Sequence, residues 1–257
     1  MTELVGTSQE ESGPVTLPAM LAPQEAAWHA LMDLHERLPE NWTLVGGQMV
    51  HLHCAERDVS PERPTDDADT VLDVRASSDM LDRFTSALVD MGFKPATSGD
   101  GLQHRWHRDD GAQIDVLLPD GIGERASSRR GAGGAPTLET PGGSQALARS
   151  RSIEVTVAGR TGHVRRPDLV GALVMKAAAH GTTREGDSAK GRHRRDFVTL
   201  AGMVSARDFR DTDLRPKDRK RLRTIVAAVR RDRATMLSME GAERALSRVE
   251  RAAGLGP

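Results

Sequence analysis

Apolar residues recur at helical spacing through residues 23–38, where Ala27, Leu31 and Leu34 predict a first helix. Trp42-Thr-Leu-Val45 then reads as a short buried strand, stopped by Gly46-Gly47, and residues 48–55 return to a helix. Residues 56–64 are polar with two prolines, and residues 67–74 predict the second strand. Met80, Leu81, Phe84, Leu88 and Met91 form one apolar stripe, so the pattern predicts a helix capped by Ser78 and closed by Gly92. Residues 101–108 and 112–118 flank Asp109-Asp-Gly111 and predict a hairpin. Residues 119–144 are rich in Gly, Ser and Arg and predict a long mobile loop. Residues 153–157 and 162–166 predict a second hairpin around Ala158-Gly-Arg-Thr161. Beyond Pro167 the pattern is helical, with helices predicted over 168–180, 196–204, 216–236 and 240–253.

These elements divide the chain into a tail at 1–22, a mixed α+β core at 23–166 and a helical half at 167–257. The tail lacks periodicity and is expected to be disordered. Aromatic residues make up only 3% of the chain and Tyr is absent, which assigns the core to Leu, Val, Ala and Met. The single Cys54 excludes an internal disulfide and points to a reducing compartment. No run of eighteen apolar residues and no apolar leader occurs, so the expectation is a cytoplasmic protein without a membrane span.

Charge changes the picture more than hydropathy does. The net charge of −1 hides 21 acidic against 8 basic residues in 1–119, and 16 basic against 8 acidic in 184–233. A polyanionic partner for the second region fits this balance, as does a solvated helical face laced with ion pairs.

The candidate chemistry concentrates in Arg63-Pro-Thr65-Asp-Asp67-Ala-Asp69. Residues two apart in a strand share a face, so Asp67 and Asp69 present two carboxylates together. Asp115 lies in a second strand, Gln113-Ile-Asp-Val-Leu-Leu118. Three converging carboxylates repel one another unless a cation is present, and hard oxygen donors suit magnesium. Asp73 lies too far along its strand to join them. Gly46-Gly47, between strand and helix, permits close approach of a ligand phosphate to a helix start, although such glycines more often serve sterics alone. Lys176 interrupts an apolar helix, which leaves it either snorkelling to solvent or directed at a phosphate or carboxylate. Asp196 reads as a helix N-cap or as a partner for Lys176. His51, His53 and Cys54 lack the second ligand pair that a zinc site needs. The EF-hand, P-loop, G-x-G-x-x-G and G-x-S-x-G patterns are absent.

Taken in order, strand-Gly-Gly, Arg-x-Thr-x-Asp-x-Asp, Ile-Asp-Val, Lys-Ala-Ala-Ala-His and a basic run before Asp196 resemble the AbiEii/MenT-type nucleotidyltransferases. These belong to the DNA polymerase β-like superfamily and include toxins of toxin–antitoxin systems. The resemblance spans roughly residues 44–200. It implies a polymerase β-like core, magnesium on Asp67, Asp69 and Asp115, and nucleotide phosphates on Gly46 and Gly47. It further implies a triphosphate contact by Lys176 with Asp196 beside it, and a basic contact by Arg194 or Arg195. The implied reaction moves NMP from an NTP to an acceptor hydroxyl, with RNA, in particular tRNA, as acceptor and a cognate antitoxin as possible partner. A small-molecule nucleotidyltransferase of the aminoglycoside-modifying kind and a non-catalytic nucleotide-binding module are the alternatives.

Overall fold

A mixed sheet carries the candidate carboxylates and is packed between helices drawn from both halves of the chain. The computed structural model describes residues 13–182, 187–210 and 212–256. Strand β1 (Val15–Thr16) precedes α1 (Ala22–Arg37), β2 (Trp42–Val45), α2 (Gly46–Ala55), β3 (Ala68–Leu72) and α3 (Met80–Asp90). Then come β4 (Lys94–Ala96), β5 (Arg105–His107), β6 (Gln113–Pro119), α4 (Glu124–Ser127), β7 (Leu138–Thr140) and α5 (Gly143–Ala148). The hairpin β8 (Ser150–Val157) and β9 (Arg160–Pro167) leads to α6 (Leu169–Thr182), α7 (Asp187–Gly202), α8 (Pro216–Arg231), α9 (Arg233–Ser238) and α10 (Ala242–Ala252).

The larger sheet has the order β2-β3-β6-β5-β4, with β7 beside the far end of β6. β3 and β6 are parallel, as are β6 and β7, whereas β2 and β5 run antiparallel to β3 and β6 respectively. The second sheet is β1-β8-β9. β3 and β6 are largely buried central strands, and Asp69, Thr70 and Asp115 interrupt their apolar sequence. One apolar core joins the sheet to α1, α6, α7, α8 and α10, so the helical half adds to the core of the sheet. All three tryptophans and the four phenylalanines are buried, so the scarce aromatics are spent inside alongside Leu, Val, Ala and Met. Each such ring contributes about 1.5–3 kcal/mol by leaving water.

Several expectations need correction. Residues 13–22 are not free tail: β1 pairs with β8 and Leu17 is buried, while residues 1–12 lie outside the described residues. Residues 119–144 are structured, with α4, the edge strand β7 and the start of α5; Arg129 Nη1 donates to Val74 O and Ala132 N to Thr85 Oγ1. The helix expected at 196–204 starts earlier, which puts Asp196 inside α7 and rules out an N-cap role. The helix expected at 216–236 breaks at Asp232, whose side chain accepts from Thr235 N and caps α9. Asp79, not Ser78, precedes α3. No described helix is long and apolar enough to cross a membrane.

Candidate active site

The register of the sheet creates the site. Asp69 on β3 and Asp115 on β6 are direct partners in the parallel pair, so their side chains leave the same face side by side. Asp67, one residue ahead of β3, completes a cluster in which one oxygen from each carboxylate lies within 4.8 Å of the others. Among the described residues this is the group placed to hold a metal ion; His51, His53 and Cys54 do not form one. Instead, His51 Nε2 bonds Arg63 O at 2.8 Å and His53 Nε2 bonds Pro167 O at 3.2 Å, while burial pushes the Cys54 thiol up to about 11. Asp73 turns away and accepts from the backbone N–H groups of Arg75 and Ala76.

Gly46 and Gly47 are required by the carboxylates themselves. Gly46 has φ +69°, and a Cβ there would sit 1.7 Å from Asp69 Oδ2. A Cβ on Gly47 would meet Thr65 Oγ1 at 2.4 Å, and that hydroxyl donates to Asp67 Oδ1 at 3.2 Å. The start of α2 is thereby pressed against the Asp-x-Asp segment, which leaves its first N–H groups and partial positive charge beside the site. Gly46→Ala is expected to cost at least 1–2 kcal/mol from the left-handed backbone alone. Because Asp69 must also move, divalent-ion affinity should fall with it. Urea unfolding together with Mn²⁺ titration checks both.

A second cluster gathers residues far apart in sequence. Lys176 Nζ donates to Asp196 Oδ2 at 2.7 Å, and Arg63 grips the same carboxylate through Nε and Nη2, each at 3.0 Å. Lys176 and Asp196 are both buried, so the ammonium does not snorkel to solvent. Burial would raise the Asp196 carboxyl, but Lys176 and Arg63 outweigh it and hold the group below its ordinary value. Arg194 points elsewhere: its Nε donates to Asp232 Oδ2 at 2.6 Å. The structure therefore joins Lys176 to Asp196 and detaches Arg194 from them.

Electrostatics supports a cation at the triad. Burial first, then the charges of Asp67 and Asp115, push the Asp69 carboxyl up to about 7, and Lys176 and Arg105 offset only part of that rise. An oxygen-only donor set with an uncancelled anionic field fits a hard dication such as magnesium.

Three residues that touch the candidate site went unassigned from the sequence. Arg63 and Thr65 stand in the Asp-x-Asp segment, where the pattern gave them no role. Arg105 was missed, although it faces Asp115 directly across the β5–β6 pair and binds it through two hydrogen bonds of 3.1 and 2.9 Å.

The chain matches no protein-family model, and no curated protein matches it. Among solved structures it is similar to an antigenic nucleotidyltransferase-like protein from Paracoccidioides brasiliensis. That likeness covers 88% of this chain and 92% of the other, at 15% identity and a TM-score of 0.50. The chain has a nucleotidyltransferase-like fold. It is also similar to the antibiotic-resistance factor ANT(2'')-Ia over 84% of this chain and 95% of that one. That second likeness has 12% identity and a TM-score of 0.38. The first extends to nucleotidyltransferase-like structure in general and does not single out the AbiEii/MenT branch.

Proposed function

We propose that this chain transfers a nucleoside monophosphate from an NTP to an acceptor hydroxyl and releases pyrophosphate. The observation that carries this reading is the pairing of Asp69 with Asp115 on adjacent parallel strands, with Asp67 beside them and the Gly46 helix start against them. Asp67 and Asp69 would hold magnesium with Asp115 alongside, and the bound ion would supply charge neutralisation on the phosphates. Asp115 either completes that ligand set or takes the proton of the attacking hydroxyl. The first N–H groups of α2 receive nucleotide phosphate. Lys176 and Arg63, both anchored on Asp196, form the positive wall against which the departing pyrophosphate is stabilised.

The finer form of the proposal is an AbiEii/MenT-type toxin that modifies RNA, in particular tRNA, with a cognate antitoxin as partner. Besides the sequence resemblance, the exposed cations Arg192, Arg215 and Lys220 support an RNA acceptor. The buried stripe of α8 is the expected Leu222, Ile225, Val226 and Val229. Its basic face is less free than its composition implies. Arg219 and Arg223 tie down the backbone carbonyls of Ala253 and Leu255, Arg221 reaches Asp120 and Asp218, and Arg230 pairs with Glu243 and Glu250. This internal use, with the acidic surplus of residues 1–119, favours a small cationic acceptor as the second reading.

Incubation with each labelled NTP, magnesium and either total tRNA or an aminoglycoside separates the readings. Label on RNA supports the first and label on the small molecule the second. Nucleotide binding without transfer reduces the chain to a binding module. The triple variant Arg192→Glu, Arg215→Glu, Lys220→Glu leaves the internal ties intact. For an RNA acceptor it should weaken binding. The slope of log affinity against log salt should also flatten, by roughly 0.7–0.9 for each RNA phosphate that the variant no longer neutralises. Equal slopes across a salt series would put the small acceptor first.

A further inference from the structure

Three neighbouring strands place Asp69, Asp115 and Arg105 in one row across the sheet, because Asp115 pairs in register with Asp69 on one side and Arg105 on the other. Arg105 meets Asp115 with the two-pronged geometry that matches a guanidinium to a carboxylate. Its Nη2 also lies 3.7 Å from Asp67 Oδ2. Asp115 is the most buried member of the triad, with 8% of its side chain exposed, and Arg105 covers it from the open side with 44% exposed. The third carboxylate therefore already has a cation, supplied by the protein. With all three carboxylates ionised, Arg105 leaves two net negative charges, which one divalent ion cancels.

We propose that Arg105 is a positioning residue that claims Asp115 and restricts the resting triad to a single divalent ion, held by Asp67 and Asp69. A second ion would need the Asp115 oxygens that the guanidinium occupies. Asp115 becomes available to an acceptor hydroxyl or a second cation only when an anionic group, such as a nucleotide phosphate, draws the exposed guanidinium away. Arg105 is suited to that exchange, since the fork that grips a carboxylate also grips a phosphate.

This inference rests on the metal-site reading above. The test is Mn²⁺ binding to the full chain without nucleotide, counted by electron paramagnetic resonance at pH 8. Wild type should bind one Mn²⁺ and Arg105→Gln two. Two ions on the wild type, or one on both, overturns the proposal. If Arg105→Gln does not fold, Arg105→Ala takes its place with the same two outcomes, and the wild-type count stands on its own, since two ions there overturn the proposal. Asp67→Asn should abolish binding in either case. If wild type binds no Mn²⁺, or Asp67→Asn binds as wild type does, the metal-site reading itself fails, which is a different result from an unchanged ion count.

Discussion

On the proposed function, Asp69→Asn is expected to reduce nucleotidyl transfer by about a thousandfold or more, equivalent to about 4 kcal/mol of transition-state stabilisation, because it removes a carboxylate from the group that would hold magnesium. The same change should stabilise the metal-free fold at neutral pH. Burial and the charges of Asp67 and Asp115 push the Asp69 carboxyl of the folded chain up to about 7 from an ordinary 3.8, so the native state binds this proton more tightly than the unfolded chain does. The contribution of Asp69 to stability is therefore fully present below about pH 4 and is lost as pH rises to about 7. The amount is a few kcal/mol. His53 and His193, each held down to about 4 chiefly by burial, tilt stability the other way over the same interval. The difference in unfolding free energy between wild type and Asp69→Asn, measured from pH 4 to 8 in chelator, isolates the carboxylate. It should widen in favour of the variant and then level off. Added Mg²⁺ should stabilise wild type more than the variant. A flat difference across that range would mean that Asp69 is solvated and carries no strained charge.

The parts of this site that were legible in the sequence were local. A period of two puts Asp67 and Asp69 together, a glycine pair marks the strand-to-helix turn, and Asp109-Asp-Gly111 fixes a hairpin. That hairpin also carries a cross-strand register. Counting outward from its turn sets Arg105 opposite Asp115, and the structure has that register. Arg63 and Asp196 carry no such signal: they are 133 positions apart and meet only because α7 packs against α2 and the loop that follows it. The structure of residues 119–144 was equally hidden. β7 is three residues long, too short to show a period, and owes its place to pairing with β6. On α8 the apolar stripe was readable, but the acceptors of Arg219 and Arg223 lie at Ala253 and Leu255, which no pattern within the helix announces.

That long-range cluster sets the second large effect, and here the expectation from sequence changes. A snorkelling Lys176, one of the two readings of its sequence, would be replaced by alanine with little loss of stability. The structure makes Lys176 one arm of a buried ion pair whose other partner serves two cations. Removing one member of such a pair strands a charge away from water and costs about 3–5 kcal/mol. Lys176→Ala still leaves Asp196 gripped by Arg63 through two hydrogen bonds, so its cost should fall at or below the low end of that range. Asp196→Ala deprives both Lys176 and Arg63 of their anion, and Lys176 is too buried to reach solvent; its cost should fall at the high end. It should also abolish transfer, since neither cation is then held in place. Lys176→Met combined with Asp196→Leu exchanges the pair for apolar groups of similar size and should recover most of the stability but none of the activity. Urea unfolding of the four proteins, alongside transfer from labelled NTP, checks the order. If Asp196→Ala is no less stable than Lys176→Ala, Arg63 and Lys176 do not depend on the shared carboxylate. If the double variant regains transfer, the positive wall of the site lies elsewhere.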